Sequence, residues 1–360
     1  MAQNGKGGLA TVLDVAKLSG VSTATAARAL GGYGSVRPET YERVHAAAVK
    51  LGYRPNGLAR SMITGVTHSI GVVLADIENP FFYGALRGIT DAARVGGFDI
   101  LLANTDEDPA DERKAVTALA ERRVDGLILC PADGKDRSHL DSMIASGMPI
   151  VLLDRPIPGL KADTVGLDNR KAAFEATQSL LDLGHTRIGL ITGGPASLEP
   201  SLRRAQMKGV ERISVTTLGA RAAGYRDALQ AAGITARPDY LTAGGFHRDD
   251  AEASTLALMR LPKPPTAIVA FDSILTLGAL LAFRRLGLRC PRDVSLVGFD
   301  DAEWAEVVSP PLTVVRQPVY EIGVKACELL LRRIDHPDKK PSHHRLKGTL
   351  IQRESTAPPS

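Results

Sequence analysis

TVLDVAKLSGVSTATAARAL, residues 11–30, decides how the rest of the chain is read. Thr11 is placed to cap a helix running through Leu13 to Leu18, with Val12, Val15 and Ala16 on one face, and Gly20 is placed to end it. Val21 restarts the chain, Ser22 supplies a second hydroxyl cap, and another helix follows after a turn too short for antiparallel packing. That is the pattern of a helix-turn-helix. On the second helix Ala26, Ala29 and Leu30 fall on the side facing the first, which leaves Thr23, Ala24, Ala27 and Arg28 outward. Such small outward groups permit close approach to a major groove. There a threonine hydroxyl can bond a base edge or a phosphate, an alanine methyl can meet the thymine methyl, and an arginine can bind guanine through two hydrogen bonds. Arg28 has a plainer alternative, a phosphate or a neighbouring acid.

Working outward, Pro38 suits the first turn of a third helix, Val44, Ala48 and Leu51 follow at helical spacing, and Gly52 stops it. The charge is concentrated here. Residues 1–62 hold eight Lys and Arg against Asp14, Glu39 and Glu42, a balance of +5, whereas the whole 360-residue chain carries only +4. A basic surface confined to three short helices favours a polyanion, double-stranded DNA in this setting. The length exceeds the roughly 250 to 300 residues at which single cores stop growing, so two or three units are expected. No apolar run approaches the ~20 residues that span a bilayer, and the N-terminus lacks a secretory pattern, so a cytoplasmic protein is expected, nucleoid-associated when on DNA. Cys130, Cys290 and Cys327 have no metal-ligand spacing and read as core residues or unpaired thiols.

With SVRPETYERV, LGYRPNGLARSM, NPFF and the terminal RESTAPP added, the sequence resembles the lac repressor (LacI/GalR) family of bacterial transcription regulators over nearly its whole length. The resemblance implies an α/β protein: an all-α helix-turn-helix headpiece (9–54), a hinge helix and linker (55–66), a two-lobed domain of parallel sheets like the periplasmic binding proteins (67–354) and a tail (355–360). It implies DNA contacts at Thr11, Ser22, Thr23, Ala24, Thr25 and Arg28, and in the hinge at Asn56, Ala59, Arg60 and Met62. The hinge segment is too short for a stable isolated helix and is expected to order against a second copy in the minor groove, with Met62 as the wedge where leucine is more usual. Two departures, Ala26-Ala27 for Val-Ser and Gly31 for asparagine, mean that the operator must be found afresh. A homodimer is expected, and no leucine heptad points to a coiled-coil tetramer.

From residue 69 onward, β-rich runs at 70–75, 98–104, 126–130, 149–154, 187–192, 267–271 and 294–300 alternate with amphipathic segments, as in parallel sheets covered by helices. Two groups of units, divided near Asp163 to Leu167, suggest two lobes with a cleft. Ligands of open α/β sheets bind beyond the carboxyl ends of strands, and polar or aromatic residues stand there. By resemblance to sugar-binding members, the contacts to a small sugar-like effector are assigned to Asn79, Phe81, Phe82, Asp154, Arg155, Arg221, Phe246, Phe271, Asp300 and Gln317. Phe271 replaces the usual asparagine and points to a less polar or modified ligand. The stretch 193–224 is about twice the expected length and holds Arg203, Arg204, Lys208 and Arg212, a solvated loop, a lid or a contact for an anionic ligand. His343 and His344 read as part of a polar tail.

No dinucleotide or phosphate-binding glycine loop, paired-histidine metal motif or nucleophile elbow is present, so neither a cofactor nor a metal is expected. The expected function is that of a DNA-binding repressor controlled by a small metabolite. The alternative is a helix-turn-helix protein fused to a carbohydrate-active enzyme such as a sugar kinase.

Overall fold

The computed structural model describes residues 10–31, 34–53, 65–134, 136–194 and 216–360. The chain divides into two compact units, 1–67 and 68–360.

The first unit is built from α1 (Val12–Ser19), α2 (Thr23–Gly31) and α3 (Pro38–Leu51). Each boundary has a local cause. Thr11 and Asp14 form a reciprocal capping box, the Thr11 hydroxyl accepting from the Asp14 N–H at 3.4 Å and the Asp14 carboxylate accepting from the Thr11 N–H at 2.9 Å. Gly20 closes α1 at φ 67°, where the Val21 N–H reaches back to the Ala16 carbonyl. Ser22 Oγ then caps α2 by accepting from the Thr25 N–H at 3.2 Å. A small core joins the helices: Val15 and Ala16 meet Ala26 and Ala29, backed by Val44, Ala47 and Ala48.

The second unit contains two six-stranded sheets, each the centre of its own lobe. The first has the order β11-β5-β4-β3-β1-β2, from β1 (Ser69–Leu74), β2 (Asp99–Asn104), β3 (Leu127–Leu129), β4 (Ile150–Leu153), β5 (Asp163–Leu167) and β11 (His343–Leu346). The second has the order β12-β10-β9-β8-β6-β7, from β6 (Ile188–Thr192), β7 (Leu241–Ala243), β8 (Ala267–Ala270), β9 (Ser295–Phe299), β10 (Thr313–Arg316) and β12 (Thr349–Ile351). All pairings are parallel except β10 with β12. Apart from the outermost β11 and β12, the two orders correspond strand for strand, β4 to β9 among them.

The remaining helices are α4 (Pro80–Val95), α5 (Pro109–Glu121), α6 (Ser138–Ala145), α7 (Asn169–Asp182), α8 (Thr216–Ala231), α9 (Arg248–Met259), α10 (Ser273–Leu286), α11 (Trp304–Val307) and α12 (Val319–Asp335). The chain passes between lobes three times. It leaves the first after β5, returns from β10 into α12, whose Ile322, Ala326 and Leu330 join the first lobe's core, and crosses back between β11 and β12.

All seven expected strands are present, and the chain leaves the first lobe directly after the 163–167 stretch near which a division was expected. Those residues themselves form a strand of the first sheet that went unread, buried along most of its length although it begins with Asp and contains Gly. His343 and His344 are not in a tail. They form the edge strand β11, whose alternating exposure makes it polar in sequence. Residues 355–357 also pack: the buried Ser355 hydroxyl donates to the Leu296 carbonyl at 2.6 Å and accepts from the Thr313 N–H at 2.8 Å.

Candidate functional site

On α2, Thr23, Ala24 and Arg28 are exposed while Ala26 and Ala29 are buried. Thr11 and Ser22 close the ends of their helices, and Thr25 Oγ1 lies 2.9 Å from Ser22 Oγ. Arg28 donates through Nε to the Ala24 carbonyl at 3.3 Å and makes no ion pair among the described residues. Its outer N–H groups therefore remain to be offered outward. Asn56, Ala59, Arg60 and Met62 lie outside the described residues, as do Arg203, Arg204, Lys208 and Arg212.

In the second unit a cavity of about 70 Å³ lies at the carboxyl ends of both sheets. Asn79, Phe81, Phe82, Asp154 and Arg155 from the first lobe meet Arg221, Phe246, Phe271, Asp300 and Gln317 from the second around it. Asn79 caps α4, its Oδ1 accepting from the Phe81 N–H at 3.0 Å, and this sets Phe81 and Phe82 edge to face with centroids 5.1 Å apart.

Asp154 follows β4 and Asp300 follows β9, the equivalent strand, and the two share one unusual backbone. Their φ angles are 63° and 68°, a region that L residues enter at some cost and that clusters at functional sites. Each N–H is tied to the neighbouring strand, Asp154 to the Val165 carbonyl and Asp300 to the Val315 carbonyl. Gly166 makes room beside the first of them, since a Cβ there would sit 3.1 Å from the Asp154 Cα and carbonyl oxygen. Gln317 directly follows β10 and donates to Asp300 Oδ1 at 2.6 Å. Thr217 on α8 donates toward the Asp154 carbonyl at 3.3 Å and its carboxylate at 3.4 Å. Two buried oxygens here have no partner, Asp154 Oδ1 and Gln317 Oε1.

The two guanidiniums are held by the protein. Arg155 closes on Glu107 with parallel bonds of 2.5 and 2.6 Å and donates to the Pro131 carbonyl at 3.1 Å. Burial opposes its charge, but Glu107 outweighs it and raises its pKa well above the ordinary value. Arg221 donates to Asn169 Oδ1 at 2.7 Å and to the Phe271 carbonyl, with its Cζ 4.6 Å from the centre of the Phe299 ring. Burial raises the pKa of Asp300 despite Arg221 and Gln317. It pushes Asp272 up to about 6, against the Leu275 N–H that bonds it and with Asp300 adding to the rise.

Phe271 does not make the cavity apolar. Its ring is buried against Phe299, 5.3 Å between centroids, while its backbone serves Arg221 and the adjacent Asp272 supplies a carboxylate. Asp76, Glu107, Gly193, Thr217, Leu218 and Asp272 also line the cavity and escaped the sequence reading. Asp76, Glu107 and Asp272 could have been found by the strand-end rule, applied after β1, β2 and β8. Thr217 and Leu218 sit at the start of a helix and carry no such signal. The arrangement suits a ligand with many hydroxyls: carboxylates and amides to bond them, phenylalanine faces to cover C–H surfaces.

Residues 11–56 match the family model described as bacterial regulatory proteins, lacI family, and residues 177–356 match that of the periplasmic binding protein-like domain. The HTH-type transcriptional repressor PurR of Aliivibrio salmonicida is 32% identical over 336 residues, 93% of this chain and 94% of that one. The transcriptional regulator CelR in complex with cellobiose matches with a TM-score of 0.70 at 30% identity, over 96% of this chain and 99% of that chain. A LacI family transcriptional regulator from Enterococcus faecium with bound ribose gives 0.69 at 28% identity, over 81% and 100%. Each of these comparisons points the same way.

Proposed function

The chain belongs to the lacI family of bacterial regulatory proteins, and on that premise we propose a sequence-specific DNA-binding repressor whose operator affinity is set by a small sugar-like metabolite held between its two lobes. The observation that carries this reading is the meeting of ten strand-end and helix residues around one cavity, in a chain headed by a helix-turn-helix with Arg28 left to face outward. Thr23, Ala24 and Arg28 read base edges; Thr11, Ser22 and Thr25 lie against the backbone; Asn56, Ala59, Arg60 and Met62 serve the minor groove.

Repression requires two copies, because operators read by such headpieces are two-fold symmetric. In support, β2 is an edge strand of the first sheet, and Leu102 upon it, Ile77 and Tyr83 are 42, 41 and 51% exposed. The lobes are joined by three passes of chain, so a ligand that binds one lobe arrangement better than another shifts the balance between them. The protein acts in the cytoplasm, on the nucleoid when bound, and the cavity binds without catalysing. Relatives bound to cellobiose and ribose support the effector class.

Selection of DNA from a random pool by the full-length protein tests the proposal, run beside an ATP-turnover assay with sugars. A two-fold symmetric site is expected. Turnover of ATP with no selected site would refute it.

A further inference from the structure

The charges around the cavity do not balance. Among the described residues, five carboxylates line it against two guanidiniums, and both guanidiniums are bonded to the protein. Arg155 is closed bidentately on Glu107 and lies 3.9 Å from Asp154, and Arg221 donates to Asn169 and the Phe271 carbonyl beside the face of Phe299. An anionic group entering the cavity would meet Asp76, Asp272 and Asp300, which make no ion pair among the described residues, in a site partly withdrawn from water, where like charges repel strongly.

The unpartnered atoms give an independent indication. Asp154 Oδ1 and Gln317 Oε1 are buried without a hydrogen bond, on side chains of residues that are 8 and 5% exposed and line the cavity. An ionised carboxylate and an amide oxygen can only accept, and a buried acceptor left unmatched is costly. The ligand must therefore bring donors to both. Hydroxyl groups do so, whereas ionised phosphate and carboxylate oxygens can only accept.

Resting on the reading of this cavity as the effector site, we infer that its ligand is a hydroxyl-rich molecule without a negative charge, and that phosphorylated and acidic sugars are refused. The upward shifts of Asp272 and Asp300 agree, since carboxylates already reluctant to ionise would be driven further by an anion.

Isothermal titration calorimetry on the full chain at pH 7.5 provides the test, with matched sets of neutral pentoses and hexoses, their phosphate monoesters and their aldonic acids. For any skeleton that binds, the neutral form is expected to bind at least about tenfold more tightly than either anionic form, and Asp76→Asn should narrow that ratio several-fold. An anionic form that binds as tightly as its neutral parent would overturn this inference alone and leave the sugar-like effector standing. Silence from every compound in all three sets would overturn the sugar-like reading as well.

Discussion

Arg28 shows how a single side chain distinguishes two modes of DNA contact. With one N–H on the Ala24 carbonyl and no acid in reach among the described residues, it has donors left for a guanine. Arg28→Ala should weaken operator binding by roughly 1–3 kcal/mol and relax preference at one base pair, as measured by fluorescence anisotropy on single-base operator variants. Uniform weakening across all variants, with a salt slope reduced by about 1, would mark a phosphate contact instead. Asp272 gives a prediction with a pH sign. Its pKa is raised in the folded protein from 3.8 to about 6, so the buried ionised form is a liability at neutral pH that fades as pH falls through 6 toward 3.8. Asparagine also caps helices, and Asp272 keeps part of its surface open to solvent. Asp272→Asn should thus raise thermal stability by about 1–2 kcal/mol at pH 7.5, with the gain lost by pH 4. Much at this scale was legible in sequence, because Asp154 and Asp300 stand directly after apolar runs and Asn79 precedes a proline that opens a helix. The Arg155–Glu107 clamp was not, since its partners lie 48 residues apart and meet only when β2 and β4 share a sheet.

The elements hold these residues in place through a few close approaches. Gly88 on α4 and Gly323 on α12 let two helices touch, and a Cβ on Gly323 would fall 1.9 Å from the Ala85 carbonyl oxygen. Gly323→Ala should force the helices apart and cost about 1–3 kcal/mol or more in denaturant unfolding, although alanine is the better helix former. Asp163, at the start of β5, gathers the end of α12 and the approach to β11: Arg333 donates to it at 2.5 Å, Arg332 at 3.2 Å and the Ser342 hydroxyl at 2.7 Å. Burial alone would raise this carboxyl, but the bonds from Arg333 and Ser342 outweigh it and hold its pKa below the ordinary 3.8. Its contribution is present above pH 3.8 and is lost as pH falls through the lower folded value. Asp163→Asn should therefore destabilise the protein at pH 7 by roughly 3 kcal/mol, a deficit that shrinks in thermal scans below pH 4. Helix ends such as Thr11, Gly20 and Gly52 could be read directly because capping is local. β7, β11 and β12 could not, being three or four residues long and defined by partners far away in the chain.

At the scale of the whole molecule, two kinds of chemistry share one chain. The basic charge and outward Arg28 belong to the first unit, the carboxylate-rich cavity to the second. Two lobes were legible from alternating strands and helices, but the three crossings were not, because α12 reads like any other amphipathic helix and only packing assigns it to the first lobe. Those crossings matter for control, since a ligand touching residues of both lobes can favour one arrangement only through contacts that differ between arrangements. A regulator built this way must show reciprocal coupling: if the ligand alters operator affinity, the operator must alter ligand affinity by the same factor. The direct measurement is the dissociation constant of the full-length protein for its selected operator, by fluorescence anisotropy at fixed salt, with and without a saturating ligand identified by calorimetry. The account predicts a change of roughly 5- to 150-fold, abolished when the cavity residues Asp154 and Asp300 are replaced by alanine. An operator affinity unmoved by a ligand that demonstrably fills the cavity would contradict it.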